Sequence, residues 1–77
     1  MPVMNRPQLP LDLADRPAWA VEVIVARVAL GMTQRQLAER AGLFQNNLAA
    51  YETGRWPAGP KVRARIAAAL AQIEAEF

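Results

Sequence analysis

The sequence predicts an all-α fold, a compact bundle of four helices, on three observations. Apolar residues recur at helical spacing through residues 16–30 and again through 60–76. Glycines stand at 31, 42 and 54, each just past a helix-length segment, where a left-handed residue commonly ends a helix. The connections are short, which suits helices packed directly on one another. A chain of 77 residues makes one small domain with a modest core, closed by compact helical packing or by pairing with a second copy.

Residues 1–15 read as a flexible arm, and residues 16–77 as the domain. Pro2, Pro7 and Pro10 leave no room for a helical period in the arm. Leu9, Leu11 and Leu13 alternate, so a short extended piece lying on the domain or a partner is the alternative to a mobile tail. Arg6 in such an arm is of the kind that reaches into a minor groove. Asp15 as N-cap and Pro17 in the first turn start a helix over 16–30. Ala20, Val23, Ile24, Arg27 and Val28 share its inner face, with Trp19 near one end, and Gly31 closes it.

Thr33 followed by Gln36 is a capping box opening a second helix, from Thr33 to Arg40. Leu37, Ala38 and Ala41 form its apolar side, and Ala38 is small where two helices would cross closely. Ala41-Gly42-Leu43 makes a tight turn in which Gly42 takes a positive φ. The third helix runs from about Gln45 to Thr53, buries Leu48 and Tyr51, and ends at Gly54. Arg55 to Pro60 is a loop. The fourth helix spans about Pro60 to Glu76, with Val62, Ile66, Ala69, Leu70 and Ile73 on one stripe and alanine filling most of the rest.

Composition removes most chemistry. The chain has no Cys and no His, and no Ser appears in it. A disulfide framework, a Cys/His zinc site, a Ser or Cys nucleophile and a His base are therefore excluded. The carboxylates are few and scattered, so the expectation is no enzyme, no cofactor and no metal. No apolar run approaches the ~20 residues of a membrane span, and the N-terminus lacks the pattern of a signal peptide. A cytoplasmic protein without a membrane partner is expected.

The formal charge of +2 is small, but its distribution is uneven. Residues 27–65 sum to +5, while residues 1–26 sum to −1 and residues 66–77 to −2. The positive charge surrounds the second and third helices, as an electrostatic footprint for phosphates would. An ordinary solvated Arg-rich surface carries the same count. Lys61, Arg63 and Arg65 also oppose the macrodipole at the start of the fourth helix, which an anionic partner would offset. The third helix opens on Gln45, Asn46 and Asn47, amides that both donate and accept, as reading base edges requires. Two helices joined by a tight turn, one of them with such a face, point to double-stranded DNA.

The segment TQRQLAERAGLFQNNLAAYETG, Thr33 to Gly54, resembles the helix-turn-helix of the lambda-repressor and Cro-like (XRE-type) family. Thr33-Gln34, the small Ala38, the turn Gly42, the branched Leu48, and Glu52 with Gly54 stand at the family's spacing. RIAAAL, Arg65 to Leu70, matches the helix that follows. The resemblance covers about Val23 to Leu70 and implies a compact DNA-binding domain of four to five helices.

The resemblance also implies roles. Gln34 would sit at a helix N-terminus beside a phosphate and brace the first recognition residue. Gln45 and Asn46 would reach base edges, each bidentate amide contact giving roughly 1–3 kcal/mol of discrimination. Ala49 and Ala50 would meet the groove through apolar contact alone. Asn47, about 100° further round the helix, would face a phosphate or solvent. Arg35, Thr53, Arg55, Lys61 and Arg63 would follow the DNA backbone, with Trp56 in the same loop or packed under it. Arg27 and Glu52 match a structural ion pair of the family, and a buried Arg needs a carboxylate in any case. The departure is Phe44, where the family places Ser or another capping residue. Phe44 would staple onto the third helix, touch the DNA, or serve a protein partner.

Two function classes lead, ahead of a structural helical domain that has lost recognition, against which the polar run Gln45-Asn46-Asn47 in a basic region argues. One is a sequence-specific transcriptional regulator, a repressor that binds a palindromic operator as a homodimer with the helix 44–53 in the major groove. Its dimer contacts would come from Trp56, Leu70, Ile73, Phe77 or the arm. Phage repressors, restriction-modification controllers and other autoregulators of mobile elements share this size. The alternative is an antitoxin-like or other protein-interaction module, docking through Phe44 or the N-terminal arm, with DNA binding secondary or absent.

Overall fold

The computed structural model describes Leu9 and residues 13–76. The remaining arm positions and Phe77, expected at a dimer contact, lie outside the described residues. Four helices follow a short 3-10 turn at Leu13–Asp15: α1 (Ala18–Ala29), α2 (Gln34–Ala41), α3 (Gln45–Thr53) and α4 (Pro60–Ala75).

The start of α1 corrects the sequence expectation. Asp15 belongs to the 3-10 turn, in which Arg16 N–H donates to the Leu13 carbonyl at 3.1 Å. That turn delays the helix, so Pro17 becomes its N-cap and supplies no side-chain bond. The far end follows expectation. Gly31 has φ +71°, Gly31 N–H donates to Val28 and Met32 N–H to Arg27. This double closure satisfies two carbonyls that the helix end would otherwise leave open.

α2 starts on a complete capping box: Thr33 Oγ1 accepts from Gln36 N–H at 3.1 Å, and Gln36 Oε1 accepts from Thr33 N–H at 2.9 Å. It runs one residue beyond Arg40 and stops at Gly42, left-handed at φ +72°. Leu43 N–H then donates to Ala38 O at 2.8 Å, which fixes the turn into α3. Pro60 is the first residue of α4, where its missing N–H costs nothing.

The core is built from Val23 of α1, Leu37, Ala38 and Ala41 of α2, Leu48 of α3, and Ile66, Ala69 and Ile73 of α4. α2 packs on both α3 and α4, and α1 closes over α3. Every apolar residue expected on the inner side of α2 is buried. Ile73, expected at a dimer contact, is 2% exposed. Its side chain faces the domain's own core beside Ile66 and Ala69, so Ile73 itself offers no surface to a partner.

Candidate nucleic-acid interface

The interface starts from a buried charge. Arg27 on α1 is among the core residues, and a guanidinium there must have its donors met. Its Nε donates to Glu52 Oε2 at 2.8 Å and its Nη2 to Glu52 Oε1 at 2.9 Å. Nη1 donates to the carbonyl of Met32 at 2.9 Å. Glu52 also accepts from Gln34 Nε2 at 3.1 Å. One carboxylate on α3 therefore gathers a side chain from α1 and another from the first position of α2. These bonds set the angle between α2 and α3, on which any docking of α3 depends.

Gln34 is positioned by this network. Its amide is committed to Glu52, so the side chain it braces is Glu52 rather than Gln45. Arg16 adds a second anchor from the start of α1, donating from Nη1 to the backbone carbonyl of Glu52 at 3.0 Å.

The outer side of α3 opens with exposed Gln45 and Asn46 and half-buried Asn47. Among the described residues, none of these three amides is tied to another side chain of the domain. Ala49 is half-buried. Ala50, expected to face the groove, is buried at 1% and is removed from the reading surface. The chain folds back at this point: the Ala50 carbonyl accepts from Thr53 Oγ1 at 3.0 Å and from Trp56 N–H at 3.3 Å. The same back-bond commits the Thr53 hydroxyl hydrogen, while its oxygen accepts from Arg55 N–H at 3.4 Å.

The cations divide into two groups. Arg55 and Lys61 are exposed. Arg35 is exposed and holds Glu39 one turn on at 3.2 Å, a pairing of two solvated groups that contributes little and yields easily to a phosphate. Arg63 is exposed as well but tethered: Nε donates to the Ala58 carbonyl at 3.0 Å, and the guanidinium lies 5.2 Å from the centre of the Trp19 ring. That placement turns it toward the start of α1. Arg65 reaches the turn between α2 and α3, its Nη2 lying 3.6 Å from where a Cβ on Gly42 would be.

Residues 20–76 match the family model described as "Helix-turn-helix domain", of the XRE/Cro-like kind. The chain belongs to this helix-turn-helix family. No curated protein and no solved structure matches it significantly. The family is one of DNA-binding domains, typically non-catalytic, so DNA is the partner it implies. Among the described residues, no helix is long and apolar enough to cross a membrane.

Within this helix-turn-helix domain, the remaining surface residues fall as follows. Trp56 is 46% exposed and meets Tyr51 edge-on, ring centres 6.0 Å apart at 72°. Leu70 packs partly against the core. Sequence reasoning missed Arg16, the Trp19–Arg63 stacking, the Arg40–Glu76 ion pair that ties the end of α2 to the end of α4, and the contact of Pro17 with Gly54. Each joins residues far apart in the chain, and none carries a local signature.

Proposed function

We propose that this helix-turn-helix domain is a sequence-specific transcriptional repressor that binds a near-palindromic operator as a homodimer. α3 enters the major groove, and Gln45 and Asn46 read base edges, the amide of each suiting an adenine. The observation that carries the reading is the pairing of free, exposed amides at the start of α3 with a buried brace that fixes α3 to α2. Arg35, Arg55 and Lys61 neutralise phosphates, while Asn47 and the first N–H groups of α2, beside Gln34, lie close to the backbone. Thr53 can donate its hydroxyl hydrogen to a phosphate only by giving up its bond to the Ala50 carbonyl. The homodimer places two α3 helices about 34 Å apart on successive turns of the duplex. Its contacts draw on the exposed part of Trp56 and on Leu70. The protein acts in the cytoplasm, on the nucleoid when bound.

The test is binding to the DNA upstream of its own gene, titrated with salt and footprinted. The expected result is two protected half-sites and an affinity that falls steeply as salt rises. Binding that fails to distinguish that DNA from random duplex contradicts the reading.

A further inference from the structure

Phe44 is the most exposed large apolar side chain among the described residues, at 79%. It stands at the N-cap of α3, with φ −77° and ψ 145°, and gives no side-chain cap bond. Ser, Thr, Asn or Asp would accept a hydrogen bond there from one of the free N–H groups of the first turn. Phe44 does not make the apolar staple that often locks a helix start either. That contact joins the residue before the N-cap to the fourth helical residue, here Leu43 and Leu48. Leu43 packs against the cluster that contains Leu48, so the staple is already supplied. Phe44 therefore holds a capping position without capping and exposes an aromatic ring without packing it.

Its location is the same end of α3 that carries Gln45 and Asn46. The apolar feature of the major-groove edges is the 5-methyl group of thymine. Elsewhere on the reading side, Ala50 is buried and Ala49 half-buried, so apolar readout has few other sources. A phenyl ring has no charge and no donor, and so offers a phosphate nothing. We propose that Phe44 is a specificity residue of the DNA interface, its ring packing on a thymine methyl next to the bases read by Gln45 and Asn46. This rests on the reading of α3 as the recognition helix. It also assigns the missing cap a consequence: the domain gives up local helix stability at this position for a contact made only in the complex.

The test uses a duplex selected by the full-length protein from a randomised library. Each thymine is replaced in turn by deoxyuridine, which removes the methyl group alone, and binding is followed by fluorescence anisotropy. The wild type is expected to lose affinity roughly three- to fivefold at one position per half-site, the scale of one buried methyl. Phe44→Ala is expected to lose that discrimination while keeping the hydrogen-bonded preferences of Gln45 and Asn46. Phe44→Ser is expected to melt at the same temperature as the wild type or higher, because it restores a cap.

A wild type that ignores every methyl overturns the proposal, as does a Phe44→Ala variant that still senses the same one. The DNA-binding reading survives both results. A Phe44→Ser variant that melts several degrees lower also overturns it, by showing that the ring supports the fold. Failure to select any duplex over random sequence removes both the proposal and the reading beneath it, and leaves Phe44 to a protein partner.

Discussion

Arg27 and Glu52 join α1 to α3 through two parallel hydrogen bonds of 2.8 and 2.9 Å, across 25 positions of sequence. Both side chains are almost wholly removed from water, at 6% and 1%. Burying such a pair is costly, and apolar residues of similar volume often do as well for stability. What the pair provides here is registry. Fork meets carboxylate in one geometry only, the third guanidinium arm holds the Met32 carbonyl, and Gln34 fills a further site on Glu52.

Removing one partner should therefore be far worse than removing both. Arg27→Ala leaves a carboxylate buried without its counter-charge and is expected to cost about 3–5 kcal/mol. Arg27→Met combined with Glu52→Leu should recover most of that loss. Urea unfolding of the three proteins gives the comparison. A single variant as stable as the double one would show that the pair is solvated in solution.

Gln34 separates two roles that look alike in the sequence. Its bond to Glu52 predicts that Gln34→Ala loses about 1 kcal/mol of stability with no DNA present. A residue that served only as a phosphate contact would leave the free protein unchanged. Thermal unfolding of the free variant decides between them.

Two left-handed glycines should respond differently to the same change. A Cβ on Gly31, at φ +71°, meets nothing within 4 Å, so Gly31→Ala carries only the backbone penalty of about 1 kcal/mol. A Cβ on Gly54, at φ +79°, would fall 2.5 Å from Pro17 Cδ. The start of α1 must then move away from the end of α3, and Gly54→Ala is expected to lose at least about 2 kcal/mol. Equal losses in denaturant melts would mean that the Pro17 contact is not held in solution.

Arg55 and Arg63 carry the same charge in different settings, and salt dependence tells them apart. Arg55 is exposed and should contribute one phosphate contact, so Arg55→Ala lowers the slope of log affinity against log salt by about one. Arg63 is spent on the Ala58 carbonyl and the Trp19 ring. Arg63→Ala should keep the slope and instead lose about 1 kcal/mol of stability. A reduced slope for Arg63→Ala would return it to the DNA backbone.

What could be read from the sequence was what neighbouring residues decide. The capping box of Thr33 and Gln36, the left-handed glycines and the inner faces of α2 and α4 are all local patterns, and the structure has them. The start of α1 differs from expectation because an N-cap residue must itself be extended, and Asp15 lies inside the 3-10 turn at Leu13–Asp15. Ala50 is buried at 1%, and no local pattern separates it from the half-buried Ala49 beside it. The helical period of Ile73 places it with Ile66 and Ala69, and all three are buried in the core. The contact of Arg63 with Trp19, 44 positions earlier in the chain, has no local signature either. The family resemblance located the helix-turn-helix but did not reveal which of its polar groups were already engaged inside the fold.

The central claim is that α3 reads sequence through the amides at its start. Selection of bound duplexes from a randomised library, run in parallel with the wild type and Gln45→Ala, tests it most directly. The account predicts a two-fold symmetric motif for the wild type, and for Gln45→Ala the same motif with the preference lost at one position in each half-site. No enrichment over the starting library, or an unchanged motif in the variant, would contradict it.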